Sequence, residues 1–236
     1  MGGTSSSLVA LSPPTLAFSS HHAVTLLVGE SQTEFTVHEH YLTCTSEFFA
    51  AALKRAWVEG QTRTVKLPEK NPIHFAYYLD WIYTRKLPTS RYQEKSPSGA
   101  EPIVLPISYI DSYVILSHLY VLGERMLDRV FRNALLGAII RVMRLEQSPE
   151  SLAIAADARP PLEVVNIIYQ GTTSISPARR LLVDWFLGFG RHYHYTSLQE
   201  KEFLVALVTA FSKKAELGLP LTDCRGDSLR YQNYVV

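Results

Sequence analysis

Histidine and cysteine side chains, which can bind transition metals, lie close together in one short stretch of the sequence. His38, His40 and Cys44 fall within the segment FTVHEHYLTC. A zinc site needs three or four ligands that converge on one point. On a helix, His38 and His40 would point about 200° apart, and no C-x-x-C or H-x-x-x-H pair supports a site. We therefore predict no metal here, and we expect His38 to anchor a turn between a strand and a helix.

Few other residues are candidates for catalysis, phosphate binding or metal binding. His192 and His194, in RHYHY, have the same unfavourable spacing. The chain contains neither of the phosphate-binding patterns G-x-G-x-x-G and G-x-x-x-x-G-K-[ST]. No Ser/His/Asp or Cys/His nucleophile pattern is evident. We predict no catalytic residues and no cofactor, and an enzyme or metal protein that these patterns miss is kept as a third hypothesis.

Composition narrows the class of protein. The chain has 236 residues, a hydrophobic fraction of 47% and a net charge of +1, with charges of both signs mixed. No basic stripe indicates a nucleic-acid partner, and no apolar run is long enough to span a bilayer. The two cysteines, Cys44 and Cys224, form no disulfide framework. We expect an intracellular protein of the cytoplasm or nucleus, without nucleic acid or stable membrane association.

The first structured segment has the pattern of a small sheet. VTLLVG, at residues 24–29, and EFTVH, which ends at His38, are short apolar or alternating runs joined by polar residues. This arrangement predicts a β-hairpin. TRTVKLP, at residues 62–68, predicts a third strand. Residues 1–22 are rich in Ser, Gly and Pro and are expected to form a flexible leader, and residues 88–102 a disordered insertion.

Helical patterns fill most of the remaining sequence. Ser46 is a good N-cap, and the apolar stripe behind it predicts one helix that includes Trp57 and ends at Gly60. Asn71 and Pro72 predict the start of another helix. Residues 107–143 predict two helices broken near Gly123. Three more helices are expected, in PLEVVNIIYQGT, in SPARRLLVDWFLGF and at residues 197–214.

The order of these elements resembles the BTB/POZ domain. The similarity is carried by VTLLVG, by V-x-L-P-E at residues 65–69, by N-P-x-x-F-x-x-Y-L-x-W-I-Y-T at residues 71–84, and by one spaced pattern. That pattern, H-x-x-x-L-x-x-x-S-x-x-F-x-x-x-L, is formed by His38, Leu42, Ser46, Phe49 and Leu53. These motifs are most similar to those of fungal BTB proteins with a helical C-terminal region.

The resemblance implies an α/β (α+β) fold in which a small three-stranded sheet packs with helices. It implies a BTB/POZ domain at residues 23–143, followed by a helical C-terminal region at residues 144–236. Ala23 and Glu39 stand where many family members carry Asp and a cation that line the dimer interface. These differences argue against the usual homodimer, and the oligomeric state is left open.

The segment AWVEG suggests a partner. In BTB adaptors that bind a cullin, a hydrophobic-x-Glu motif follows the second long helix, and Trp57 and Glu59 match it by position. The resemblance thus implies a protein-interaction module, a substrate adaptor of a cullin-type ubiquitin ligase. Alternatively, Trp57 completes the apolar stripe, Glu59 is solvated, and the protein is a scaffold or oligomerisation module without ligase activity.

The N-terminus carries one modification pattern. Residues 1–6, MGGTSS, fit M-G-x-x-x-[ST], which marks Gly2 as a candidate for N-myristoylation. No basic cluster or cysteine lies nearby, and a single acyl chain binds membranes only marginally.

Overall fold

A computed structural model describes residues 23–88, 109–145, 161–189 and 200–217. Several sequence predictions fall outside these ranges. They concern the leader with Gly2, the insertion beyond residue 88, Cys224, and the pair His192 and His194.

The three predicted strands form one mixed sheet with the order β2-β1-β3. The strands are β1 at Ala23–Val28, β2 at Thr33–His38 and β3 at Thr64–Leu67. β1 runs antiparallel to β2, with Val24 opposite Val37, and parallel to β3, with Leu26 opposite Val65. Every second residue of β1 is fully buried, as alternation predicts for a sheet with one face on the core. The predicted three-stranded sheet is confirmed.

Four helices accompany the sheet: α1 at Glu39–Thr43, α2 at Glu47–Ala52, α3 at Val58–Thr62 and α4 at Pro72–Thr84. α4 begins as its sequence predicts, since Asn71 Oδ1 accepts hydrogen bonds from the N–H groups of Ile73 and His74 at 2.8 and 3.3 Å. Its inner face is largely aromatic and buries Phe75, Tyr78, Leu79, Trp81 and Ile82.

The prediction of one helix from Ser46 to Gly60 is wrong. α2 ends at Ala52, and a second short helix, α3, begins after Trp57. Gly60 lies inside α3 and is buried. A Cβ at this position would lie 2.2 Å from the carbonyl oxygen of Lys54, so glycine permits α3 to pack directly on the end of α2.

The predicted pair of helices after residue 107 is present, but the break lies beyond Gly123. α5 spans Tyr109–Arg125 and α6 spans Arg129–Leu145. Gly123 is buried within α5, where a Cβ would lie 3.0–3.1 Å from side-chain atoms of Arg132 and Phe131. The glycine therefore serves the packing of α5 on α6. The turn itself contains Leu127, in the left-handed region with φ of 49°.

Three helices complete the described chain: α7 at Leu162–Gly171, α8 at Pro177–Phe189 and α9 at Lys201–Glu216. α7 packs on α5, so closely that a Cβ on Gly171 would lie 2.4 Å from Val121 Cγ2. The ring of Phe203 on α9 contacts Tyr169 and Phe186, with centroids 5.4 and 5.1 Å away. Apolar residues from the sheet to α9 form one buried cluster, and a domain boundary at residue 143 stays a prediction.

Among the helices that the structure describes, none is both long and apolar enough to cross a membrane.

Candidate partner-binding surface

Trp57 and Val58 form an exposed apolar pair at the start of α3. Their exposed fractions are 60% and 68%. The backbone of Trp57 is held at both ends: its N–H donates to the carbonyl of Lys54 at 3.0 Å, and its carbonyl accepts from the N–H of Gln61 at 3.1 Å. The exposure of Trp57 shows that its indole is not part of the core. The two backbone hydrogen bonds hold the turn from which the indole projects.

Glu59 lies two residues further, in the first turn of α3, and is partly exposed. A carboxylate is favourable at this end of a helix, where the N–H groups carry partial positive charge. The close packing of Gly60 on the end of α2 sets the position of this turn. The result is a large aromatic side chain and a carboxylate presented together on a short, constrained segment.

His38 lies at the junction of β2 and α1 and contacts α4. Its backbone N–H donates to the Tyr83 hydroxyl at 3.0 Å, and its Nδ1 lies 3.0 Å from the same oxygen. The Tyr83 ring also packs on the exposed Tyr41, with centroids 4.5 Å apart. His38 thus connects the strand-to-helix turn to α4. In the described parts of the chain, no group of three or more His, Cys, Asp or Glu side chains could hold a metal ion.

Ser46 is the N-cap of α2 and also connects this helix to the turn before α6. Its Oγ accepts from the N–H of Phe49 at 3.2 Å and donates to the carbonyl of Met126 at 2.6 Å. Leu42, Phe49 and Leu53, the other members of the spaced pattern, are buried in the core.

Asp128, which the sequence analysis did not single out, is fully buried beside Ser46. Its carboxylate accepts from the hydroxyls of Tyr78 at 3.0 Å and Thr45 at 2.6 Å, and from the N–H of Phe131 at 2.9 Å. Burial, followed by the neighbouring Asp128 charge, raises the pKa of Tyr78 well above its ordinary value. The phenol therefore stays protonated and serves as a donor. The N-cap position of Asp128, three residues before Phe131, is the signal that could have revealed it.

Glu39 stands where many family members carry a cation, and its side chain is paired with a cation of the same chain. Its carboxylate forms an ion pair with Arg63 at 2.7 Å. Arg63 has φ of 58° at the end of α3. This pair connects the first turn of α1 to the residue before β3. Ala23, the other departure, pairs with His38 at the end of the sheet.

A small mixed sheet covered by helices, with an aromatic side chain exposed on a fixed turn, is an architecture suited to binding other proteins. The BTB/POZ domain model matches residues 16–98, which contain all three strands and α1 to α4. Over residues 16–98 the chain is therefore similar to BTB/POZ domains. Such domains mediate protein–protein contacts, including contacts between identical chains. A search of curated proteins found no match.

Proposed function

We propose that this protein is a substrate adaptor of a cullin-type ubiquitin ligase, and that Trp57 and Glu59 dock the cullin. The single observation that carries the proposal is the 60% exposure of Trp57 on a backbone held by hydrogen bonds at both ends. Because the turn is already ordered, binding would cost little conformational entropy.

The two side chains would have different roles. Tryptophan is among the residues that most often dominate interface energies, because it buries a large area in a partner's pocket. Glu59 would pair with a cation of the cullin and fix the orientation of the complex. Val58, exposed between them, would widen the apolar contact.

Binding of the purified protein to the N-terminal half of a BTB-binding cullin tests the proposal. We expect Trp57→Ala to weaken binding about thirtyfold or more, since hot-spot truncations cost about 2 kcal/mol or more. Glu59→Ala should weaken it less. Glu34→Ala, which removes an exposed carboxylate on β2, is the matched control and should bind like wild type.

Thermal unfolding separates a lost contact from a lost fold. We expect the Trp57→Ala melting temperature to stay close to that of wild type, because the indole is largely exposed. Equal binding by wild type and both variants would overturn the adaptor proposal, as would a folded wild type that does not bind.

The second candidate function is a scaffold or oligomerisation module without ligase activity. The exposed rings of Tyr41 and Tyr83, 4.5 Å apart, favour it, because paired aromatic residues on a surface are typical of interfaces. Light scattering would test this candidate. A dimer mass that Tyr41→Glu reduces to a monomer supports it, and a monomeric wild type contradicts self-association.

A further inference from the structure

A groove of about 580 Å³ opens between the turn that joins α7 to α8 and the first turns of α9. Its apolar lining comes from Ile175, Val183, Val205 and Ala206. Ile175 is 83% exposed and Val205 is 66% exposed. Exposed aliphatic side chains that are grouped around one concavity, rather than scattered singly, can mark an interaction site.

The frame of the groove is already ordered. Arg179, nearly buried at its base, donates to the carbonyls of Tyr169 and Thr172 and to the hydroxyl of Thr172. Its guanidinium also lies over the Tyr169 ring, 4.5 Å from the centroid. These contacts fix the end of α7 against α8, so a ligand would meet a preformed site and little entropy would be lost on ordering it.

The charge around the groove is mainly positive. The lining contains Arg179, Arg180 and Lys201 but only one carboxylate, Glu202. Glu202 forms an ion pair with Arg179 at 2.6 Å, which neutralises the negative charge. The exposed Lys201, at the start of α9, lies on the lining beside the apolar residues. A ligand that fits this groove therefore combines apolar contact with negative charge.

The shape selects among ligands of that kind. A groove of several hundred Å³ encloses a ligand of small-molecule size, comparable to a few side chains of a docked segment. A bilayer surface would instead need the cations and apolar residues on a convex face. We propose that this groove binds a short acidic segment of a partner protein, with an aliphatic or aromatic side chain seated against Ile175 and Val205. The proposal rests on the adaptor function for its biological role, as the place where the target is held, but binding itself requires no cullin.

Selection from a displayed library of random peptides of about twelve residues, on the immobilised full-length protein, tests the inference. We expect the enriched peptides to carry Leu, Ile or aromatic anchors flanked by Asp and Glu. Their affinity should fall as ionic strength rises, because exposed charges are screened. Cullin binding, measured on the same preparation, reports separately on the function proposed above.

Matched variants on α9 locate the binding site. Lys201→Glu and Val205→Asp should each weaken an enriched peptide about tenfold, since each removes a contact and adds repulsion. Lys213→Glu and Val208→Asp change equally exposed residues of the same helix that do not line the groove. They should leave the affinity within about twofold.

Three results would overturn the proposal. The first is enrichment of neutral or basic peptides. The second is equal loss of affinity in Val205→Asp and Val208→Asp. The third is the absence of any enriched peptide; vesicles containing anionic lipid that bind the wild type but not Lys201→Glu would then identify a lipid surface as the ligand. A wild-type melting temperature in each variant ensures that a loss of binding reports on the groove.

Discussion

The first and last parts of the described chain are each organised around one buried charged side chain, and the two have opposite signs. Asp128, at the start of α6, accepts hydrogen bonds from two hydroxyls and one backbone N–H. Arg179, in the first turn of α8, donates to two carbonyls at the end of α7. Each charge lies where a helix has unsatisfied groups of the complementary kind.

The difference between the two is their access to water. The partners of Asp128 are Tyr78 and Phe131, which are fully buried, and Thr45, which is partly buried. Arg179 instead reaches Glu202, whose side chain is 71% exposed. The buried carboxylate thus holds a closed core, whereas the guanidinium supports a surface on which α9 meets solvent.

The largest effect is expected from Asp128→Ala. It removes the N-cap of α6 and leaves the buried hydroxyl of Tyr78 without its acceptor, so we expect a loss of about 3 kcal/mol in the free energy of unfolding. Chemical denaturation measures it. Asp80→Ala, which removes an exposed carboxylate on α4, is the control and should change stability by less than about 0.5 kcal/mol.

Asp128→Asn sharpens this prediction. The amide oxygen can still cap α6, but its NH₂ group can accept no hydrogen bond from Tyr78 or Thr45. The free energy of unfolding of Asp128→Asn should lie between that of wild type and that of Asp128→Ala. An alanine variant as stable as Asp80→Ala would mean that the carboxylate does not organise this core.

A smaller effect is expected from Arg179→Ala, about 2 kcal/mol, because the buried carbonyl of Tyr169 loses a charged donor. Arg179→Lys should recover only part of this stability, since an ammonium cannot reproduce the fork that serves two carbonyls and a hydroxyl. Glu202→Ala should cost less than about 1 kcal/mol, as for other exposed ion pairs. Thermal unfolding of the three variants checks this order of destabilisation.

That order tests the contrast between the two regions. If Glu202→Ala destabilises the protein as much as Arg179→Ala, the ion pair with α9 contributes more stability than the bonds to the end of α7. The distinction between a closed and a solvent-exposed charge then fails.

Local sequence patterns were sufficient for the sheet and for several helix starts. Ser46 and Asn71 can be assigned as N-caps because a capping side chain acts on residues two or three positions away. The break between α2 and α3 could not be predicted in this way. Its cause is the approach of Gly60 to the backbone of Lys54, and residue periodicity carries no information about such a contact.

The two buried charges were missed for a related reason. Two partners of Asp128, Thr45 and Tyr78, are far away in sequence. The local N-cap pattern can indicate only the bond from the N–H of Phe131. Arg179 lies in the segment SPARRLLVDWFLGF, whose pattern predicted a helix but not the contacts of this side chain with the end of α7. The choice between a core and an exposed role for Trp57 likewise depended on where α2 ends.

The smallest expected effect is on the pH dependence of stability. It involves two histidines that lie between the core around Asp128 and the helices around Arg179. His74 on α4 and His118 on α5 stack with ring centroids 4.7 Å apart. Burial lowers the pKa of both from 6.5; the neighbouring His118 lowers that of His74 further, while Glu163 on α7 partly opposes the shift in His118. The folded protein therefore binds fewer protons than the unfolded chain just below pH 6.5, and its stability should fall as the pH is lowered through that window.

Melting temperatures between pH 7.5 and 5 measure this effect. We expect a decrease of a few degrees on acidification, because both side chains are only half buried. The His74→Gln/His118→Gln double variant should show a smaller decrease, whereas His40→Gln, at an exposed position on α1, should keep the wild-type slope. An unchanged slope in the double variant would mean that the acid sensitivity arises elsewhere. A smaller slope would mean that the acid sensitivity arises where α4, α5 and α7 meet, between the closed core around Asp128 and the helices that carry the groove.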